Sequence, residues 1–142
     1  MSKKILKSTK SAKETLAFGK KTAQALRGGE VIGLVGPLGA GKTVFIKGLA
    51  AGLGIKETIT SPTFLLLKEY EGKILKLVHV DAYRLKKPQE LLDIGLAEHF
   101  GDAGTVVVVE WADKVKKILP GHTNWISLRL GRNNQREIYE KR

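Results

Sequence analysis

Cysteine is absent from this sequence, so disulfide bonds and thiolate metal sites are excluded. No apolar run approaches the roughly 18 residues that a membrane-spanning helix needs. The chain begins with basic residues, but no apolar segment follows them, and we therefore expect no secretory signal. Together these absences agree with a cytoplasmic protein.

Acidic residues are few: 14 Asp and Glu stand against 25 Lys and Arg, which gives a formal net charge of +11. A basic surface favours nucleic acid or an acidic protein as a partner. However, the basic residues are spread along the chain and are not interleaved with aromatic residues. A solvated lysine-rich surface that binds nothing in particular also accounts for the charge. The charge alone therefore carries little weight, and RNA contact is a minority hypothesis.

The length of 142 residues suits one domain, and we expect residues 1–142 to form it. The composition, with 42% hydrophobic and 27% charged residues, is that of an ordinary globular protein. The sequence contains no internal repeats and no low-complexity segments.

The segment from Gly36 to Thr43 reads GPLGAGKT and fits G-x-x-x-x-G-K-[ST], the Walker A phosphate loop. A short apolar strand over 30–35 precedes it, and apolar residues at helical spacing predict a helix over 43–53. The N–H groups of such a loop and the positive end of the helix form an anion site. Lys42 would add charge at the outer phosphates, and Thr43 a hydroxyl for Mg²⁺. The candidate phosphate-binding residues are Pro37, Leu38, Gly39, Ala40, Gly41, Lys42 and Thr43.

The remaining patterns predict an α/β fold with a mixed β-sheet flanked by helices, as in P-loop NTPases. A capping box at Ser11 and Glu14 starts a helix that buries Leu16, Ala23 and Leu26 and stops at Gly28-Gly29. Strands are predicted over 3–8 at a sheet edge, over Phe64–Tyr70 and Ile74–Val80, in the centre over Thr105–Val109, and in a closing hairpin over Trp125–Leu130 and Arg136–Tyr139. Pro88 suits the first turn of a short helix.

Two carboxylates end predicted strands, Asp81 after Leu77–Val80 and Glu110 after Thr105–Val109. Both would emerge at the rim of the sheet beside the phosphates, where ligands of α/β sheets bind. We assign Asp81 to Mg²⁺, through water, and Glu110 to Mg²⁺ or to the attacking water. These two roles could be exchanged, because the sequence does not order the strands.

Other polar and aromatic residues are weaker candidates. Ser61 and Thr63 supply hydroxyls in a loop that could sense a terminal phosphate, although a plain polar turn fits almost as well. Arg84 could approach phosphates or a partner. The alternative interpretation is that it is an ordinary surface arginine. Trp111 follows Glu110 and would pack there as a reporter of bound nucleotide. The three histidines, His79, His99 and His122, show no metal-binding spacing.

Taken in order, these segments resemble the TsaE family (formerly YjeE), the small bacterial P-loop ATPases of tRNA threonylcarbamoyladenosine synthesis. The Walker motif is generic, whereas the other elements at these separations are far more specific. The resemblance rests on the Walker motif, S-P-T-F at 61–64, H-x-D-x-Y-R at 79–84, Gly95-Leu96 with Glu98, Gly101-Asp102, and Glu110-Trp111.

The resemblance implies ATP or ADP with Mg²⁺ as ligands and TsaD-type and TsaB-type proteins as partners. That complex attaches threonylcarbamoyl to N6 of adenosine 37 in tRNAs that read ANN codons. The resemblance also implies that ATP hydrolysis by the TsaE-like subunit resets the complex between turnovers. We expect hydrolysis by the isolated protein to be slow, because the chain is short and carries no obvious lid. The resemblance assigns phosphate and Mg²⁺ binding to Lys42 and Thr43, and the metal and hydrolytic site to Asp81 and Glu110. It makes Thr63 a switch candidate, and Tyr83, Arg84 and Trp111 candidates for coupling to partners.

Three alternatives to an ATPase switch remain from the sequence. A small-molecule kinase would use the same loop, but 142 residues leave little room for a lid and an acceptor pocket. A regulatory GTPase would carry the guanine-reading motif N-K-x-D, which is absent. A nucleic-acid-binding module would rest on the charge of +11 alone.

Overall fold

The computed structural model describes residues 3–62 and 66–141. Thr63, the switch candidate, and Phe64, the expected start of a strand, therefore lie outside the described residues. Within the described residues, seven strands form one sheet in the order β1-β7-β6-β2-β5-β4-β3. The strands are β1 Lys3–Thr9, β2 Val31–Val35, β3 Leu67–Tyr70, β4 Lys76–Asp81, β5 Thr105–Glu110, β6 Asn124–Leu130 and β7 Arg136–Lys141. The α-helices are α1 Ala12–Gln24, α2 Lys42–Gly52 and α3 Gln89–Asp93, and short 3₁₀ helices cover Leu96–His99, Ala112–Ile118 and Arg132–Asn134.

The sheet is mixed, which confirms the predicted fold class. Strands β2, β4, β5 and β6 run parallel to one another, whereas β3 pairs antiparallel with β4, and β7 with both β6 and β1. The carboxyl ends of the four parallel strands therefore meet at one edge of the sheet. In open α/β sheets this edge is where ligands bind.

Each face of the sheet is covered by its own hydrophobic cluster. On one face Leu77, Val106 and Val108 pack with Phe45 and Leu49 of α2. On the other face the alternate residues of the same strands pack against α3 and the 3₁₀ helices Leu96–His99 and Ala112–Ile118, among them Val78, Val80, Val107 and Val109. The β5 strand is buried at every position, which confirms that it is a central strand covered on both sides.

Helices α1 and α2 touch through glycine. A Cβ on Gly48 would lie 2.1 Å from the Leu16 carbonyl oxygen, and one on Gly19 would lie 2.4 Å from the Phe45 carbonyl oxygen. The residues of α1 that are buried are consequently Thr15, Gly19 and Ala23, and not the predicted set of larger side chains. Only Ala23 of that set is buried, whereas Leu16 is half-buried because the two backbones approach too closely for a leucine between them. Leu26 is also half-buried and lies beyond the end of the helix.

The start of α1 is close to the prediction and its end is not. Ser11 caps the helix, and its Oγ accepts the Glu14 N–H at 3.1 Å. The Glu14 carboxylate reaches back to the Lys10 N–H at 2.9 Å, one residue before the expected donor. The helix ends at Gln24, four residues before the Gly28-Gly29 pair that was expected to stop it.

The β3–β4 hairpin is shorter than predicted. Leu66 adopts a left-handed conformation with φ of 62°, so β3 begins only at Leu67. Ile74 is 88% exposed in the turn, and β4 begins at Lys76. By contrast Pro88 does precede α3, and β6 and β7 form the expected hairpin. No helix in the described part of the chain is long and apolar enough to cross a membrane.

Candidate functional site at the amino end of α2

The glycine-rich turn links β2 to α2 through three residues with positive φ. Gly36, Gly39 and Gly41 have φ of 150°, 79° and 98°, a region that L side chains rarely adopt. A Cβ on Gly36 would also lie 2.2 Å from the Leu128 carbonyl oxygen on β6. The turn delivers the chain to the first turn of α2, where no described side chain caps the helix. Its first N–H groups are therefore placed to bind an anion.

A cavity of about 600 Å³ opens at this helix end. Besides the glycine-rich turn and the start of α2, its walls are formed by the β1–α1 junction, the loop that carries Ser61, the carboxyl ends of β4 and β5, and the β6–β7 turn. The lining residues that the sequence predicted are Leu38, Gly39, Gly41, Lys42, Thr43, Ser61, Asp81, Tyr83, Glu110 and Trp111. Those that it missed are Lys10, Ser11, Ala12, Thr15, Val44, Asn134 and Arg136.

Two predicted phosphate-loop residues do not line this cavity within the described chain. Ala40 is fully buried in the cluster under α2, and its N–H donates to the Pro37 carbonyl oxygen at 3.2 Å. Pro37 is exposed on the outer side of the turn. Pro37 and Ala40 therefore shape the turn instead of lining the cavity.

Lys42 is the buried cation of the site, with only 5% of the residue exposed. Its ammonium donates a hydrogen bond to the Gly36 carbonyl oxygen and lies 3.5 Å from the centre of the Trp111 ring. Burial lowers the pKa of Lys42 below its ordinary value, and the negative charges of Glu110, Asp81 and Asp113 oppose that shift. Asp113, in the 3₁₀ helix after β5, was not among the sequence-based candidates.

Asp81 and Glu110 lie side by side at one rim of the sheet. The sequence placed both at the rim but did not order their strands. The two residues are register partners at the ends of the parallel strands β4 and β5. Alternation along each strand places both on the face that packs against α2, the face of Leu77 and Val108. Because β5 lies between β2 and β4, Glu110 is on the strand adjacent to the one that enters the phosphate loop.

The two carboxylates have different partners. Asp81 accepts a hydrogen bond at each oxygen, from Ser61 Oγ and from the Tyr83 N–H, both at 3.0 Å. Glu110 Oε2 lies 2.7 Å from His79 Nε2, and both side chains are buried. The sequence indicated His79 only as part of a motif, although its position two residues before Asp81 already places it on the same face of β4.

An aromatic and basic group borders the cavity. The rings of Tyr83 and Trp111 lie 4.8 Å apart between centroids, and Lys114 Nζ donates to the Tyr83 carbonyl oxygen at 2.6 Å. Trp111 has a left-handed backbone with φ of 58°. Arg84 is exposed and borders a small cleft with Leu66, Asp81 and Tyr83.

The donor set fits Mg²⁺ held jointly with a phosphorylated ligand. Thr43 offers a hydroxyl, and Asp81 and Glu110 offer carboxylates, all hard oxygen donors. Within residues 3–62 and 66–141, no group of three or more His, Cys, Asp or Glu side chains could hold a metal ion. Mg²⁺ commonly uses one or two carboxylates and completes its shell with phosphate oxygens and water, which is what this arrangement allows.

Comparison with known proteins identifies the family. A family model described as threonylcarbamoyl adenosine biosynthesis protein TsaE matches residues 9–138. This chain belongs to the TsaE family. The matched TsaE region includes the phosphate loop, both carboxylates and the whole of α1.

Individual relatives agree with this assignment. A TsaE protein of Treponema pallidum, named as a tRNA threonylcarbamoyladenosine biosynthesis protein, is 47% identical over 130 residues, which cover 92% of this chain and 95% of that protein. A TsaE protein of Bacillus subtilis with the same name is 43% identical over 130 residues, covering 92% and 80%. The crystal structure of Bacillus subtilis YdiB matches this TsaE fold with a TM-score of 0.83 at 38% identity, covering 99% of this chain and 86% of the other.

Proposed function

We propose that this TsaE-family protein binds ATP and ADP with Mg²⁺, hydrolyses ATP slowly, and acts in the synthesis of threonylcarbamoyladenosine in tRNA. One observation carries the proposal: Lys42, Thr43, Asp81 and Glu110 line a single cavity at the uncapped amino end of α2. Their chemistry is that of a site for a triphosphate and a divalent ion.

Different groups of the chain would bind the phosphates and the Mg²⁺ ion. The N–H groups of the glycine-rich turn and of the first turn of α2 hold the phosphates, and the Lys42 ammonium adds charge at the outer ones. Thr43 and the carboxylates would hold Mg²⁺, which neutralises charge on the phosphate oxygens. A triphosphate must compete with the Gly36 carbonyl and the Trp111 ring for the Lys42 ammonium, because these are its present neighbours.

The two carboxylates take different roles in this proposal. Asp81 already accepts hydrogen bonds at both oxygens, which suits a carboxylate that reaches Mg²⁺ through an intervening water. Glu110 has one oxygen engaged by His79, so the other can orient the attacking water. We therefore assign Asp81 to the metal, and Glu110 first to the water.

The biological setting is also part of the proposal. The relatives are named for tRNA threonylcarbamoyladenosine biosynthesis, which supports a role in that synthesis. We propose that the protein acts in the cytoplasm beside TsaD-type and TsaB-type partners, on tRNAs that read ANN codons. ATP hydrolysis would reset the partner complex between turnovers. We propose that residues 1–142 act as one domain, that Tyr83, Arg84 and Trp111 couple the site to partners, and that Thr63 serves as a switch. Any contact with tRNA would be weak or indirect.

Two measurements test this function. The purified protein should release phosphate from ATP only when Mg²⁺ is present, and ATP should be preferred to GTP. A pull-down with ATP, ADP or no nucleotide should recover a TsaD/TsaB-type pair in a nucleotide-dependent way. Phosphorylation of a metabolite in a substrate screen would instead support a kinase, and the absence of any nucleotide binding would rule the proposal out.

A further inference from the structure

We propose that His79 is a positioning residue for Glu110, whose carboxylate it holds at the angle that hydrolysis requires. This inference rests on the proposed ATPase function. His79 itself does not line the cavity within the described chain, so it would act through Glu110 and not on the nucleotide.

The contact joins two strands beneath the cavity. His79 lies in β4 and Glu110 at the end of β5, and their side chains meet with 2.7 Å between Nε2 and Oε2. His79 is 1% exposed and Glu110 is 6% exposed, so water competes little for this hydrogen bond. Charge-assisted hydrogen bonds shielded in this way are among the stronger ones in proteins.

The chemistry of the partners sets the direction of the bond. An ionised carboxylate only accepts hydrogen bonds, so Nε2 of His79 carries the proton and donates it to Glu110. His79 Nδ1 is buried and has no hydrogen-bond partner among the described residues. Among the described residues, the imidazole ring of His79 is thus anchored by one polar contact. That contact is with Glu110, the candidate water-orienting residue.

Packing alone does not account for a histidine here. The neighbours of His79 along β4, Leu77 and Val78 and Val80, are buried apolar residues. A buried nitrogen without a hydrogen-bond partner, such as His79 Nδ1, carries a free-energy cost. An apolar side chain at position 79 would avoid that cost. What the apolar side chain would lose is the donor to Glu110, which would leave a largely buried carboxylate free to turn.

Three substitutions at position 79 test the role. His79→Leu removes the donor and should lower kcat by about 10- to 100-fold, while the KM for ATP changes little. Losses of this size are typical when a residue that orients a metal-binding side chain is removed. His79→Gln places an amide N–H at nearly the reach of Nε2 and should restore much of kcat. His79→Asn, whose amide is too short to reach Oε2, should not. If His79→Leu does not fold, the comparison of Gln with Asn still decides.

A double-mutant cycle and a spectrum separate positioning from a structural role. In a Glu110→Gln background, His79→Leu should cause little further loss of kcat, because both changes disable the same group. In nucleotide-free protein, ¹⁵N-detected imidazole spectra should show a protonated Nε2 and a bare Nδ1, and the Nε2 resonance should shift in Glu110→Ala.

The outcomes are distinct. A normal kcat in His79→Leu, equal losses in the Gln and Asn variants, or fully additive losses in the cycle would overturn the positioning role while leaving the ATPase intact. An unprotonated Nε2 would overturn it as well. A wild-type protein without ATPase activity would instead overturn the proposed function on which this inference rests.

Discussion

The ammonium of Lys42 lies over the Trp111 ring, 3.5 Å from its centre, so the start of α2 and the end of β5 are in direct contact. A cation against an indole face is attracted by the electron density of the ring. Trp111 in turn packs against Tyr83, which follows β4. One contact chain therefore links the candidate phosphate-binding lysine to both strands that carry the candidate metal-binding carboxylates.

This contact predicts a fluorescence signal from Trp111. ATP or ADP binding should draw the Lys42 ammonium toward phosphate and change the environment of the indole. The chain has two tryptophans, and Trp125, on β6, does not line the cavity in the described chain, whereas Trp111 does. We expect Trp125→Phe to retain a nucleotide-dependent change in emission and Trp111→Phe to lose it. A response that survives only in Trp111→Phe would contradict the proposed movement.

Removal of the Lys42 charge should abolish productive phosphate binding. We expect Lys42→Met to lower kcat/KM for ATP by about 100-fold or more, the usual scale for losing a positioned charge in a catalytic site. Lys47→Met is the matched control, because Lys47 is exposed on the same helix and does not line the cavity in the described chain. Phosphate release by both variants, with melting curves as a check on folding, measures the difference. Equal activity in the two variants would count against the phosphate-loop assignment.

Glu110 should also control the protonation of Lys42. Burial lowers the pKa of Lys42, and Glu110 is the strongest of the charges that raise it again. Glu110→Gln removes that charge, so the pKa of Lys42 should fall further. An NMR titration of the Lys42 side chain followed at its Cε–Nζ resonances measures the direction. A pKa that rises in Glu110→Gln would refute this electrostatic picture.

The same shift predicts a pH dependence of stability. Since the folded-state pKa of Lys42 lies below its unfolded value, the folded protein binds this proton less tightly. The charged lysine therefore costs stability below the folded pKa, and the cost disappears as pH rises to the unfolded value. The free energy of unfolding of wild type, relative to Lys42→Met, should rise across that window. Denaturant unfolding at several alkaline pH values measures it, and a fall would contradict the prediction.

The close contact of α1 and α2 should make Gly48 sensitive to a methyl group. A Cβ on Gly48 would lie 2.1 Å from the Leu16 carbonyl oxygen, so the helices must separate. We expect Gly48→Ala to lower the free energy of unfolding by about 2 kcal/mol, within the range for overpacked cores. Gly121→Ala is the control, because a Cβ there meets no atom within 4 Å. Similar stabilities of the two variants in denaturant unfolding would show that the helices accommodate the methyl.

The sequence by itself determined the parts of this protein that depend on neighbours along the chain. Glycine spacing and the strand–turn–helix pattern located the phosphate loop, and the apolar run before Glu110 identified a central strand. The cap at Ser11 marked the start of α1. These features follow from backbone preferences and side-chain periodicity within a few residues, which a sequence displays directly.

Only the tertiary structure decided which distant residues meet. The order of strands placed Glu110 next to β2 with Asp81 one strand further, and it brought His79 to Glu110 across β4 and β5. It also set Trp111 over Lys42 and brought Arg136 of β7 to the cavity. Periodicity along one strand does not specify the neighbouring strand or the register between them. Those depend on the packing of the whole sheet against its helices, and that packing completes the site.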